Sequence, residues 1–244
     1  MAFKYYNHIM SCKFYYEGED KITSFISKNY SIYFLADGHG GDFVSSYLKN
    51  NFINYFKKYF NLNSSNIQQV IKSTISDIDT RLKQYNEGST LVGFVINNDT
   101  FTVFNVGDSR CYVIDNDNKI NKITNDHNLY NQNEIKRLNY QVDLKDTDRR
   151  LDGKLAMTRS IGDNDINGRI STPSLKTLNI NNYKYIILCS DGTYTSMTDN
   201  ILKDLIITNK SMTKAVDQII DYAKQHGDGD DISILIKKIS LQQV

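Results

Sequence analysis

The sequence has no tryptophan, one proline and only three cysteines in 244 residues. Cys12, Cys111 and Cys189 are widely spaced, odd in number and form no Cys-x-x-Cys pair. That pattern argues against a disulfide framework or a structural zinc site and suits a reducing compartment. No apolar run approaches the ~18 residues of a membrane span, and the tyrosine-rich start lacks the basic-then-apolar layout of a secretory leader. A soluble, cytoplasmic protein with no membrane partner is expected. Neither sign of charge is in excess: 29 basic and 28 acidic residues leave a net charge of +1. No global field draws such a chain to nucleic acid. The shortage of proline and tryptophan beside abundant Asn, Lys, Ile and Tyr reads as base composition of the gene and assigns no function. The length suits one large domain, residues 1–244, and a monomer is expected.

What is present is an alternation of strand-like and helix-like blocks. Residues 9–16, 22–27 and 30–36 read as strands, the first two separated by the acidic turn Glu17-Gly18-Glu19-Asp20. From Gly41 the period changes. Val44, Leu48, Phe52, Tyr55, Phe56 and Tyr59 recur at helical spacing, and a second helix follows with Ile67, Val70, Ile71, Ile75, Ile78 and Leu82 on one face and Ser64 or Ser65 as its cap. Residues 88–123 read as an antiparallel meander turning at Asn97-Asn98-Asp99, Gly107-Asp108-Ser109 and residues 115–118. A short helix near 134–138 precedes a long irregular stretch, 142–174, which is either disordered or functional. Strands at 175–180 and 185–189, helices at 199–208 and 213–225, and a strand at 232–239 complete the chain. Helices in pairs rather than in βαβ alternation disfavour a parallel sheet and predict sheets packed between helical layers.

Three aspartates share one design. The apolar strand ending Phe34-Leu35-Ala36 stops at Asp37-Gly38-His39-Gly40-Gly41, and the strand ending Ile187-Leu188-Cys189 stops at Ser190-Asp191-Gly192. The acidic loop Gly227-Asp228-Gly229-Asp230-Asp231 opens the final strand. Taken singly, each is most cheaply a turn. Gathered at one edge of a sandwich, the carboxylates would repel one another, and a hard divalent cation with oxygen ligands is the natural compensation. Mg²⁺ or Mn²⁺ suits such a set better than zinc does.

In order along the chain come Asp37-Gly38-His39-Gly40-Gly41, Gly88-Ser89-Thr90, Gly107-Asp108-Ser109-Arg110, Asp126-His127, residues 155–163 (Leu-Ala-Met-Thr-Arg-Ser-Ile-Gly-Asp), Ser190-Asp191-Gly192 and Asp230-Asp231-Ile232-Ser233. This set resembles the metal-dependent protein phosphatase family, protein phosphatase 2C, across almost the whole chain. The resemblance implies an α+β fold, a four-layer α-β-β-α sandwich of two antiparallel sheets flanked by helix pairs. It implies two Mn²⁺ or Mg²⁺ ions, bridged by Asp37, with the Gly38 carbonyl on one and Asp191 and Asp230 on the other. His39 would protonate the departing serine or threonine oxygen of a phosphorylated protein substrate. Cysteine-based phosphatase chemistry is excluded, because Gly18, Asp117 and Thr195 stand where the phosphate-cradling arginine would follow each cysteine. Ser89, Thr90, Arg110 and Arg159 read as structural, and His127 and His226 as satisfied structural or exposed histidines.

The pattern is broken in three places. Lys13 stands where the family carries a phosphate-gripping arginine; it either supplies that charge without the guanidinium fork or is a surface lysine. Glu17 and Asp20 are then the acidic candidates for ordering metal-bound water, with Glu19-Asp20 slightly displaced from the family spacing. Thr195 replaces an aspartate that, with Asp108, supports a third metal. Asp231 replaces an asparagine, where its charge either tightens metal binding or faces solvent. The rival to the enzyme is therefore a pseudophosphatase that binds a protein partner without turnover.

Overall fold

The structure, a computed structural model, describes residues 8–13, 18–62, 65–139, 148–227 and 229–239. The early strands β2 (Lys21–Ile26) and β3 (Ser31–Ala36) fall where expected, and β1 (His8–Lys13) covers the start of the strand expected at 9–16, of which 14–16 lie outside the described residues. β1 does not pair with β2: it lies against the last strand, β13 (Ile232–Lys238), while β2 pairs with β3. The chain thus passes from one sheet to the other between β1 and β2. Residues 88–123 are likewise not one meander. β6 (Leu91–Asn97) and β7 (Thr100–Val106) form a hairpin in the sheet of β3, whereas β8 (Arg110–Asp115) and β9 (Ile120–Lys122) form one in the sheet of β13. A turn signal specifies a reversal but not which sheet receives the next strand. Here β8 pairs with β12 (Tyr183–Cys189), which buries Cys111 and Val113 between the sheets and Tyr112 and Ile114 beneath helices.

The first sheet has the order β1-β13-β12-β8-β9, and the second, completed by β11 (Ser174–Asn179), the order β11-β7-β6-β3-β2. All their pairings are antiparallel. The helices α1 (Phe43–Leu62) and α2 (Ile67–Arg81) cover the second sheet, and α5 (Asp199–Thr208) and α6 (Met212–His226) cover the first. This is the expected α-β-β-α sandwich. On α1 the spacing of four puts Val44, Leu48, Phe52 and Phe56 in a single fully buried stripe. Phe52 meets the tilted Phe34 ring and stacks on Phe104, at centroid distances of 4.9 and 5.5 Å; each such side chain contributes ~1.5–3 kcal/mol through burial. The cap of α2 is Asn66, whose side chain accepts from Gln69 N at 3.0 Å, rather than Ser64 or Ser65.

Alternation along β3 aims the site. Ile32, Phe34 and Ala36 face the helices, while Tyr33 and Leu35 face the space between the sheets. The next inward position is Asp37. A small third sheet stands beside it: β4 (Gly38–His39) pairs with β5 (Gly88–Ser89), which pairs with β10 (Ile161–Gly162). β10 belongs to the stretch expected to be irregular, of which 142–147 lies outside the described residues. The rest is anchored by Glu134 of α3 (Gln132–Leu138), which accepts from Arg137 Nε at 3.0 Å, Thr158 Oγ1 at 2.8 Å and Arg159 Nε at 3.0 Å.

Candidate metal centre and its acid

The peptide of Asp37 is held from both sides. Its N–H donates to Thr90 Oγ1 at 3.2 Å, and its carbonyl accepts from Thr90 N at 2.8 Å and Ser89 Oγ at 3.1 Å. The Thr90 hydroxyl also shares a 2.7 Å hydrogen bond with Ser109. Ser89 and Thr90 therefore fix the strand-ending aspartate as well as packing strands. Gly38 admits no side chain, because a Cβ there would lie 2.8 Å from the Glu19 carbonyl oxygen and 2.9 Å from Ser45 Oγ. Gly41, at φ +137, presents its N–H to Glu19 Oε1 at 2.6 Å.

Asp191 opens the short helix α4 (Asp191–Tyr194) directly after β12, and Asp230 precedes β13. The two strand ends are laced together: Ser190 N donates to Ser233 O at 3.1 Å and Thr193 Oγ1 to the same oxygen at 2.9 Å. A Cβ on Gly192 would lie 2.2 Å from the Asp231 carbonyl oxygen, so only glycine permits this approach.

Electrostatics reports the convergence. Burial pushes the Asp37 carboxyl well above the usual range, and the charges of Asp20, Asp191, Asp108 and Asp230 push it further. Asp20 is pushed up to about 7 by burial, against hydrogen bonds from Ser233 and Ser190, with the charge of Asp231 adding to the rise. Asp108 is also pushed up to about 7, by burial and then by Asp191 and Asp126. The tertiary fold thus brings Asp37, Asp191 and Asp230 together with Asp20 and Asp108. Among the described residues, no three Asp, Glu, His or Cys side chains close into a ready-made coordination sphere. The donors are acidic oxygens crowded at one end of the sandwich, a set that fits a hard divalent cation.

His39 stands beside this cluster with 28% of its side chain exposed. Burial lowers its pKa, but the hydrogen bond and charge of Asp163, together with Asp108 and Glu19, raise it overall. Glu17 lies outside the described residues, as does the side chain of Lys13; the Lys13 backbone pairs with Ile232, two positions beyond Asp230. Thr195 spends its hydroxyl on the Asp191 carbonyl at 2.7 Å. Asp231 does not face solvent: it is 9% exposed, and its carboxylate accepts from Glu19 N at 2.9 Å.

The residues expected to be structural have structural partners. Arg110 grips Asp126, with Nη2 at 2.7 Å, and lies 3.5 Å over the Tyr194 ring. His127 is buried between Gly107 N at 3.2 Å and Ser174 Oγ at 2.7 Å, and burial followed by the Arg159 charge lowers its pKa to about 4. His226 is exposed and stacks on Tyr222 of its own helix. Asp163 was missed as a member of the site, and Glu19 and Asp231 were weighed beside it without a partner. Each sits within or beside a recognised motif, but the partner that gives it a role lies far away in the chain.

Comparison with known proteins places the chain in a family. The family model described as protein phosphatase 2C matches residues 5–232. The chain is 32% identical over 216 residues to probable protein phosphatase 2C 28 of Arabidopsis thaliana, covering 85% of this chain and 64% of that protein. It therefore spans just under two thirds of that relative's length. Among solved structures it is similar to a sex-determining protein of C. elegans, at a TM-score of 0.82 and 19% identity, covering 96% of this chain and 64% of that one. It is also similar to the serine/threonine phosphatase Stp1 of Staphylococcus aureus, at a TM-score of 0.74 and 24% identity, covering 96% and 95%. At those identities the structural likeness speaks to the fold alone.

Proposed function

The chain belongs to the protein phosphatase 2C family, and on that premise we propose that it hydrolyses phosphoserine and phosphothreonine in protein substrates. Metal dependence comes with the family; that the ions are two, and are Mn²⁺ or Mg²⁺, is our reading of the donor set. Asp37, the Gly38 carbonyl, Asp191 and Asp230 would hold them, with Asp20, Glu19 and Asp108 ordering the water around them. Ions bound there supply a water of lowered pKa and neutralise charge on the phosphoryl group. His39 gives a proton to the departing oxygen, a general-acid role worth ~10²–10⁴ in rate. Lys13 contributes positive charge toward the phosphate as a point charge rather than a fork.

One observation carries this reading: the Asp37 carboxyl is pressed upon by four other carboxylates, from Asp20, Asp191, Asp108 and Asp230. Such a cluster is costly at neutral pH without a cation. A neutral threonine at 195, bonded to its own helix, supports a centre of two ions rather than three. The near-zero net charge supports a protein that no global field draws to nucleic acid or an anionic membrane, and we read residues 1–244 as one catalytic unit, acting as a monomer in the cytoplasm. No helix among the described residues is long and apolar enough to cross a membrane.

Phosphate release from a phosphothreonine peptide tests the proposal. Activity is expected with Mn²⁺, and none with excess chelator or in Asp191→Ala. Turnover that survives chelation, or that is untouched by Asp191→Ala, would sink it.

A further inference from the structure

His39 is gripped from behind. Its Nε2 lies 3.0 and 2.9 Å from the two carboxylate oxygens of Asp163, a residue 124 positions further along and 3% exposed. Asp163 is itself fixed: Ser160 Oγ donates to its Oδ2 at 2.5 Å, and its own N–H donates to the Glu87 carbonyl at 3.0 Å. The small third sheet sets this contact, with His39 opposite Gly88 and Gly88 opposite Gly162. Gly88 has no room for a side chain. A Cβ there would lie 2.1 Å from Asp163 Oδ2 and 2.2 Å from His39 Nε2. Behind the loop, Asp79 of α2 accepts from Gly162 N at 3.1 Å and pairs with Arg169 Nη1 at 2.9 Å, and that same Nη1 donates to Ser160 O at 3.1 Å. An ion pair from outside the acidic cluster therefore clamps the loop that presents Asp163.

An imidazole whose Nε2 faces a carboxylate keeps its Nε2–H engaged there, which leaves Nδ1 as the nitrogen available to a substrate. We propose that Asp163, fixed by Ser160, is a positioning residue that sets the tautomer and direction of His39, so that Nδ1 is the atom that protonates the departing serine or threonine oxygen. This rests on the reading of His39 as general acid. In the hydrolysis, a water oxygen forms a new bond to phosphorus and loses a proton to solvent, while the ester P–O bond breaks and its electron pair passes to the substrate's side-chain oxygen. That oxygen takes the proton from Nδ1, and the ring is left neutral with its Nε2–H still on Asp163; solvent later returns a proton to His39. Water, which the hydrolysis already consumes, is the only co-reactant.

The dependence on leaving group separates positioning from mere support of the fold. A serine alkoxide needs a proton as it leaves, whereas p-nitrophenolate leaves as the anion. Asp163→Asn is expected to lower kcat for a phosphoserine peptide by about 10²-fold, with KM and the Mn²⁺ requirement unchanged and kcat for p-nitrophenyl phosphate far less affected. His39→Ala should show the same selective loss. If His39→Ala lowers both substrates alike, the general-acid reading fails and this proposal fails with it. If His39→Ala is selective but Asp163→Asn is not, the role of Asp163 alone is overturned. Ser160→Ala guards against a variant that does not fold, because it keeps the carboxylate and removes only its tether. A smaller loss confined to the phosphopeptide supports the proposal, and an equal loss on both substrates, or none, overturns it.

Discussion

The carboxylate of Asp231 accepts a hydrogen bond from the backbone N–H of Glu19 at 2.9 Å, joining positions 212 residues apart. The Asp20 N–H lies behind it at 3.5 Å. Asp231 thus anchors the acidic pair beside Asp37. Asp231→Ala is expected to raise the Mn²⁺ concentration for half-maximal activity by about tenfold, the scale of losing a group that orients those near a metal. Asp231→Asn keeps an oxygen acceptor and should stay close to the parent. A Mn²⁺ titration of phosphate release on both variants checks this, and equal behaviour of Ala and Asn would contradict it.

The close approach of Gly192 to the Asp231 carbonyl gives a steric counterpart. Gly192→Ala places a methyl 2.2 Å from that oxygen, so backbone must move, at ~1–3 kcal/mol. Because Asp191 is the neighbouring residue, the Mn²⁺-induced rise in Tm should shrink as well. Gly153→Ala is the control. Nothing lies within 4 Å of its Cβ, and only φ +68 is unfavourable, so stability should fall by the left-handed penalty of ~1–2 kcal/mol, lowering Tm by a few degrees with the Mn²⁺ response intact. Thermal melts with and without Mn²⁺ report both.

Glu134 makes stability acid-sensitive. Burial alone would raise its pKa, but hydrogen bonds from Arg159 and Thr158, the Arg159 charge and a hydrogen bond from Arg137 bring it down from 4.5 to about 2. A carboxyl depressed in the fold contributes fully above its unfolded value of 4.5, and that contribution is lost as pH falls through about 2. Glu134→Gln should therefore be less stable at neutral pH by on the order of 3 kcal/mol, with the gap closing toward about pH 2. Urea unfolding of both proteins across that window measures it.

The thiols of Cys111 and Cys189 are both fully buried, and burial pushes both far up. Neither is expected to react with a thiol reagent in the native protein. Mass spectrometry after brief alkylation should find both unlabelled until denaturant is added. Modification of either in the native state would contradict their burial.

Much of this protein could be read directly from its residues. Spacing of four along Val44, Leu48, Phe52 and Phe56 identified α1, and apolar runs halted by Asp-Gly identified the two strand ends that carry Asp37 and Asp191. Local signals of this kind depend on backbone geometry within a few residues, so they survive without a fold. The same signals misjudged residues 88–123, because a turn at Gly107 looks alike whether the next strand stays in its sheet or crosses to the other.

The sequence by itself determined the layers, the motif order and the identity of the acids at the strand ends. The tertiary structure decided what those acids touch: Asp163 behind His39, Asp231 under Glu19, and Asp20 and Asp108 pressing on Asp37. Those relationships join segments tens to hundreds of positions apart. They arise only when two sheets close on one another, because burial and proximity, which set both the hydrogen bonds and the raised carboxyl pKa values, belong to the packed chain and not to any stretch of it.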